Sequence, residues 1–195
     1  MIRSFIAIET PKDIIDNIGV LQTRLKPSLG NLVRWVAIEN MHLTLIFLGE
    51  VKEDFLNKVM EQLTSVVKMV MPFEANINGL GAFPSQRSPR IIWIGMDKGK
   101  NEVIDLQTKV EKSLKTIGYK PEDRKFHPHL TIGRVKSVIK DSTKIFDNNY
   151  TSRNFPVKSI VLFKSTLRPQ GPIYEKLEEF HFGAPSPQNS VFENR

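Results

Sequence analysis

Two tetrapeptides constrain this chain more than any other feature: His42-Leu43-Thr44-Leu45 recurs 87 positions later as His129-Leu130-Thr131-Ile132. Each alternates polar with aliphatic residues, the period of a β-strand. In each copy the imidazole and hydroxyl therefore share one face while the aliphatic pair anchors the other. Each is also preceded, some way upstream, by a stretch of helical periodicity. A short element that recurs in a similar context points to two similar halves facing one another. A lone His-x-Thr in a strand is most simply a packing histidine. Two copies, in a chain with 4 histidines, are hard to attribute to packing alone.

The other elements follow from periodicity and punctuation. Strands are predicted at residues 4–8, 33–36, 42–48, 73–80, 90–96, 129–135, 159–165 and 173–182, with a loop at 84–89. A first helix starts with Thr10 as N-cap and Pro11 at its first position. It carries Ile14, Ile15, Ile18, Leu21 and Leu25 at helical spacing, and ends at Pro27 and Gly30. A second carries Phe55, Leu56, Val59, Leu63 and Val66. A third carries Val103, Leu106, Val110, Leu114 and Ile117, and stops at Gly118. Strands and helices mix without strict βα alternation, which predicts an α+β fold with antiparallel pairing. No linker divides the chain, so residues 1–183 read as one domain and residues 184–195 as a loose, flexible tail.

Composition narrows the chemistry. The chain has no cysteine, which removes disulfides, cysteine-ligated zinc, iron–sulfur clusters and thiol nucleophiles. Lys and Arg total 28 against 21 Asp and Glu, a net charge of +7. Such an excess suits a polyanionic partner such as RNA, because a positive field steers and holds phosphates. The N-terminal apolar run is too short for a signal peptide, and no segment approaches the roughly 18 apolar residues of a membrane span. The expectation is a soluble, cytoplasmic protein with no membrane partner.

Two strands bearing these motifs, brought together, would surround a small anion with two imidazoles and two hydroxyls. That inventory suits a cyclic phosphate. In-line displacement at phosphorus needs one group to take a proton from water and another, on the opposite side, to protonate the departing ribose oxygen. Histidine can do either near neutrality. Thr44 and Thr131 can donate to the non-bridging oxygens. Arg134, which completes the second copy, could clamp the phosphate bidentately. Strict alternation puts it on the wrong face, however, so this role requires a bulge or a strand end at Gly133.

At this point the sequence resembles a known group. Arg34-Trp35-Val36 through Glu39-Asn40-Met41-His42-Leu43-Thr44-Leu45, running on to Phe47-Leu48-Gly49, is similar to the first motif of the two-histidine (2H) phosphoesterases. Within that group it resembles the RNA 2′,3′-cyclic phosphodiesterases, also called 2′-5′ RNA ligase-like proteins. Phe126-His127-Pro128-His129-Leu130-Thr131-Ile132-Gly133-Arg134 is similar to their second motif. Arg3-Ser4-Phe5-Ile6-Ala7-Ile8 and Ser165 to Tyr174 also look familial, so the likeness covers about residues 2–182. It implies a bilobal, pseudo-twofold α+β fold, a pair of antiparallel sheets with flanking helices and an active-site cleft between the lobes. It further implies hydrolysis of RNA-type 2′,3′-cyclic phosphates to 2′-phosphomonoesters with no cofactor and no metal. His42 would be the proton donor and His129 the proton acceptor, with Thr44, Thr131 and Arg134 on the phosphate. The partners would be RNA or oligonucleotide ends carrying the cyclic phosphate, or small cyclic nucleotides, met by a monomer.

Other residues carry two readings each. Phe5, Trp35 and Phe83 are candidates to stack on a nucleobase, and equally core aromatics. Ser165 and Tyr174 could contact the nucleotide or build the hairpin around Pro169 and Gly171. His127 with His129 could pair as metal ligands, but a third ligand is not evident nearby, and His127 reads as a supporting residue. Lys120, Arg124 and Lys125 could rim an RNA site or form a solvated loop. Three rival functions stay open: an RNA-end-binding module without turnover, 2′-5′ RNA end joining as the reverse reaction, and a metal-dependent hydrolase.

Overall fold

The periodic segments fold largely where their patterns place them. The computed structural model describes residues 1–139, 142–147 and 149–183. Its elements run β1 (Ile2–Ile8), α1 (Lys12–Leu29), β2 (Val33–Trp35), β3 (Leu43–Val51), α2 (Glu53–Val67), β4 (Phe73–Ala75), β5 (Ile77–Pro84), β6 (Pro89–Met96), α3 (Lys100–Lys115), β7 (Leu130–Val135), α4 (Thr143–Phe146), β8 (Phe155–Val157), β9 (Ser159–Arg168) and β10 (Gly171–His181). The apolar stripes of the three long helices are buried: Ile14, Ile18, Leu21 and Leu25 in α1, Leu56, Val59 and Leu63 in α2, Val103, Leu106 and Val110 in α3. Each fully buried aliphatic side chain contributes about 2 kcal/mol of transfer free energy. Among the described residues, no helix is long and apolar enough to cross a membrane.

The fold is α+β. Eight strands form one antiparallel sheet in the order β10-β9-β1-β3-β7-β6-β5, with β2 also pairing β7, while β4 and β8 make a small separate sheet. The pair of sheets expected from the sequence is thus joined edge to edge. The join is narrow: β3 and β7 share the single rung Leu43↔Leu130. Both leucines are buried in the main core under the helices. The opposite face of the sheet carries a smaller apolar cluster of Phe5, Ala7, Val161 and Phe163, with Tyr174 packed against it.

Several boundaries differ from expectation, each for a local reason. Pro11, not Thr10, is the N-cap of α1, and the Thr10 hydroxyl is buried without a hydrogen-bond partner. Pro27 sits inside the last turn on an exposed position. The helix runs on to Gly30, whose N–H closes on the Lys26 carbonyl at φ +49°. The strand expected at 73–80 is broken at Asn76, whose Oδ1 accepts from the backbone N–H groups of Asp97 (3.3 Å) and Lys98 (3.0 Å), so β4 and β5 enter different sheets. β8 and α4 have no counterpart among the predicted elements. The expected tail at residues 184–195 lies outside the described residues.

Candidate active site

The rung that joins the two halves also arranges the repeated motifs. With Leu43 opposite Leu130 in antiparallel register, extending by one residue each way sets His42 across from Thr131 and Thr44 across from His129. All four lie on the face opposite the buried leucines. Cross-strand neighbours of this kind have Cβ atoms about 5 Å apart. Thr44 and Thr131 are half-buried within their strands, as are both histidines just before theirs. Neither imidazole is inside a strand as expected, because each strand starts at the following leucine. Pro128 lacks an N–H for the ladder ahead of His129, and a 3₁₀ turn (Ile38–Asn40) precedes His42.

Both rings are fixed by the same device. His129 Nδ1 lies 2.7 Å from the backbone carbonyl oxygen of His127. A carbonyl only accepts, so Nδ1 carries the proton and Nε2 keeps its lone pair. His42 is likewise hydrogen-bonded to the carbonyl of Asn40, again two residues upstream. The Asn40 side chain also anchors this turn. Its Nδ2 donates to the Pro172 carbonyl at 2.9 Å, tying the turn before His42 to the β9–β10 hairpin that carries Tyr174. Sequence reading does not single out Asn40 for this, since a backbone acceptor leaves no mark on side-chain pattern.

The surroundings of the two rings are apolar. His42 stacks on Phe5 (4.6 Å between centroids, 22°) and meets Tyr174 edge-on at 5.2 Å. His129 meets the edge of Phe83 at 5.0 Å, and Trp93 lies 6.1 Å away. Burial pushes the His42 pKa from 6.5 down to about 4, against the opposing hydrogen bond to Asn40. Burial also lowers His129, the His127 carbonyl opposes, and the charges of His127 and Arg134 add to the lowering. Both imidazoles are therefore neutral at neutral pH.

A stability effect follows. The unfolded chain protonates His42 near pH 6.5 and the folded chain near 4, so between these values the unfolded state binds more protons. The stability due to neutral His42 is present above pH 6.5 and is lost as the pH falls toward about 4. Urea midpoints measured from about pH 7 to about pH 4.5 should fall, and should fall less steeply in His42→Asn. An equally steep decline in that variant would rule out His42 as the source.

The problem of Arg134 is answered by the pairing of β6 with β7. Ile92 faces Gly133 but Trp93 faces Thr131, so Ile132 is an extra residue on β7. Across this bulge the alternation slips by one, and Arg134 returns to the face of Thr131. Its charge reaches both halves of the site: it lowers the pKa of His129 and opposes the rise that burial gives Tyr174. The carbonyl of Ile132 accepts from the Val36 N–H (3.0 Å) and from Gln22 Nε2 (2.9 Å), so a buried α1 side chain stabilises the slip. Gln22 escapes notice in the sequence because it looks like one polar residue in an amphipathic helix.

The remaining candidates separate clearly. Phe5 is 2% exposed and packs against His42, Phe163 and Tyr174, so its ring is covered by neighbouring side chains. Trp35 packs against the main core over Gly133, where an added Cβ would stand 3.4 Å from its ring. Phe83 is half-buried beside both His127 and His129. Tyr174 is half-buried beside His42, and its strand neighbour Ser165 is buried. The rings of His127 and His129 are 6.4 Å apart, and no group of three or more metal-ligating side chains is found among the described residues. Arg124 pairs with Glu122.

With this geometry in place, comparison with known proteins is decisive. The family model for LigT like phosphoesterase matches twice, over residues 8–93 and 94–174. The chain belongs to the LigT like phosphoesterase family. One match holds His42 and Thr44, the other His129, Thr131 and Arg134. Among relatives of this LigT like protein, the RNA 2′,3′-cyclic phosphodiesterase of Archaeoglobus fulgidus is 37% identical over 181 residues, 91% of this chain and 99% of the relative. The RNA 2′,3′-cyclic phosphodiesterase of Aquifex aeolicus is 34% identical over 187 residues, 94% of this chain and 98% of the relative. A crystal structure of a Thermus thermophilus protein superposes with a TM-score of 0.82 at 25% identity, covering 94% of this chain and 100% of that one. The Escherichia coli LigT crystal structure complexed with 3′-AMP has the same fold, with a TM-score of 0.76 at 23% identity over 94% of this chain and 99% of LigT.

Proposed function

We propose that this chain hydrolyses RNA-type 2′,3′-cyclic phosphates to 2′-phosphomonoesters within one domain spanning residues 1–183. The observation that carries the reading is the register at Leu43 and Leu130, which gathers His42, Thr44, His129 and Thr131 on one face. Relatives named for this activity over nearly the full chain support the same substrate class.

In the proposed step, water attacks phosphorus while His129 Nε2 takes its proton, and the bond from phosphorus to the 3′-oxygen breaks as His42 protonates that oxygen. Thr44, Thr131 and Arg134 hold the non-bridging oxygens, where charge persists through the transition state. Burial by the surrounding protein keeps His42 neutral at neutral pH, so it takes up its proton with the substrate. The phosphate's negative charge favours the imidazolium and offsets the burial that disfavours it. After the reaction the two histidines have exchanged protonation states, and a proton returns through solvent. Run backwards, the same arrangement closes the 2′-phosphate onto the 3′-oxygen and expels water; a 5′-hydroxyl in the place of water would give a 2′-5′ linkage, and water at its bulk concentration favours hydrolysis. The net charge of +7 fits an RNA end as the physiological form of the substrate.

The test is incubation with adenosine 2′,3′-cyclic phosphate in the presence of EDTA, followed by identification of the product. Adenosine 2′-phosphate is the expected product. No turnover, or turnover only when divalent metal is supplied, would overturn the proposal. A 3′-phosphate product would reassign the leaving oxygen.

A further inference from the structure

The slip that turns Arg134 into the site has a counterpart in the other half, and the two differ in what stands beside them. In the pairing of β1 with β3, Ile6 faces Ile46 but Ala7 faces Thr44, which makes Leu45 the extra residue on β3. Leu45 and Ile46 then both lie in the main core. The next residue along, Phe47, has the apolar Phe5 opposite it. Past the equivalent slip on β7, Arg134 has Ile91 opposite it on β6 and Arg34 opposite it on β2.

Two arginines in direct cross-strand register repel, since their Cβ atoms are about 5 Å apart and like charges so placed destabilise a sheet. Arg34 stands on the same face as Arg134. Its neighbours Val33 and Trp35 point the other way, toward the main core, where a Cβ on Gly133 would meet Val33 Cγ1 at 2.7 Å and the Trp35 ring at 3.4 Å. Lys136 continues the row. Its N–H donates to the Leu32 carbonyl at 2.7 Å, one rung beyond Val33 and Val135, and alternation returns its side chain to the face of Arg134. Arg34, Arg134 and Lys136 are all exposed. Neither β2, β6 nor β7 contains an Asp or Glu. Among the described residues these cations enter no ion pair, whereas Lys12, Lys115, Arg124 and Arg153 each hold a carboxylate elsewhere on the surface.

The row starts at Arg134 and leads away from the histidines along β7 and β2. Like charges set side by side, exposed and unpaired, complement a ligand that carries negative charges in succession. A nucleic-acid strand has one such charge per nucleotide. We infer that Arg34 forms a second phosphate site, holding the phosphodiester on the 5′ side of the nucleotide whose cyclic phosphate lies between the histidines. Lys136 stands next along the strand. This rests on the nucleotide reading above, and it makes an oligonucleotide end, rather than a free cyclic nucleoside, the preferred substrate.

The test uses three substrates: adenosine 2′,3′-cyclic phosphate, the dinucleotide adenylyl-adenosine 2′,3′-cyclic phosphate, and the same dinucleotide with a neutral methylphosphonate linkage. In the unaltered protein, KM for the charged dinucleotide should be about tenfold below that for the neutral one, as expected for one hydrogen bond to a charged group. Arg34→Gln should close that gap by raising KM for the charged dinucleotide alone, with kcat little changed. Arg34→Lys should keep part of it. No gap in the unaltered protein, a gap that survives in Arg34→Gln, or an equal rise on all three substrates overturns the inference. Calorimetric binding of adenosine 2′,5′-bisphosphate against adenosine 2′-phosphate gives a readout that needs no turnover. If the unaltered protein hydrolyses no cyclic phosphate, the proposed activity fails. The inference then stands only if Arg34→Gln weakens the bisphosphate about tenfold and leaves adenosine 2′-phosphate unchanged.

Discussion

Replacing either His42 or His129 by alanine is expected to lower kcat on a 2′,3′-cyclic nucleotide by about 10²- to 10⁴-fold, the range for losing a positioned acid or base. The double variant should be little worse than the worse single one, because the two groups act in one proton-transfer step. Folding should survive in both. Neither ring closes the main core, which lies on the other face of the sheet under the helices. Far-ultraviolet circular dichroism and urea midpoints check this, with His→Asn variants as closer-sized controls. The pH profile separates the roles. Wild-type kcat/KM should be bell-shaped, and each variant should lose a different limb. A variant of either histidine that keeps more than about a tenth of wild-type kcat with sound folding would remove that residue from the chemistry.

Arg134→Ala is expected to cost about 10²- to 10³-fold in kcat/KM, comparable to deleting one donor that stabilises transition-state charge. Arg134→Lys should recover only part of the loss, because an ammonium keeps the charge but lacks the planar fork that matches two phosphate oxygens. The loss should shrink at high ionic strength, where the guanidinium is already screened. Steady-state kinetics at low and high salt would show this. If Arg134→Ala behaves as wild type, the slip at Ile132 has no catalytic purpose and the phosphate is held by the threonines alone.

Much of this is readable in the chain. The repeated motif locates the four groups that the β3–β7 register gathers, and the three apolar stripes mark the long helices. What cannot be read depends on non-local pairing. A bulge is a mismatch between two strands, so Ile132 is known to be extra only when β6 lies beside it. A trace of the slip does survive: Leu45-Ile46 breaks the alternation, and Gly133 tolerates the close approach of Val33. Phe5 reads as a base-stacking candidate because β1 is apolar on both faces and its pattern cannot say which ring is covered. β8 is hidden because Pro156 sits in its middle, which suits a two-stranded sheet where one edge stays unpaired. Residues 73–80 look like one strand because nothing in a run of sequence shows that Asn76 will bond across to residues 97 and 98.

The single rung at Leu43 and Leu130 makes the boundary between the halves a pivot rather than a plate. Any rocking of one half against the other turns about that point, and displacement grows with distance from it. Groups one residue from the pivot barely move. Those four residues along either strand, at about 3.3 Å per residue, sit on lever arms of roughly 13 Å and sweep about 2 Å for a turn of roughly 10°. Phe47 and Arg134 are at those distances, and the imidazoles are beside the pivot. For the proposed reaction, such a turn would change the distance between Phe47 and Arg134 while leaving the two imidazoles nearly where they are.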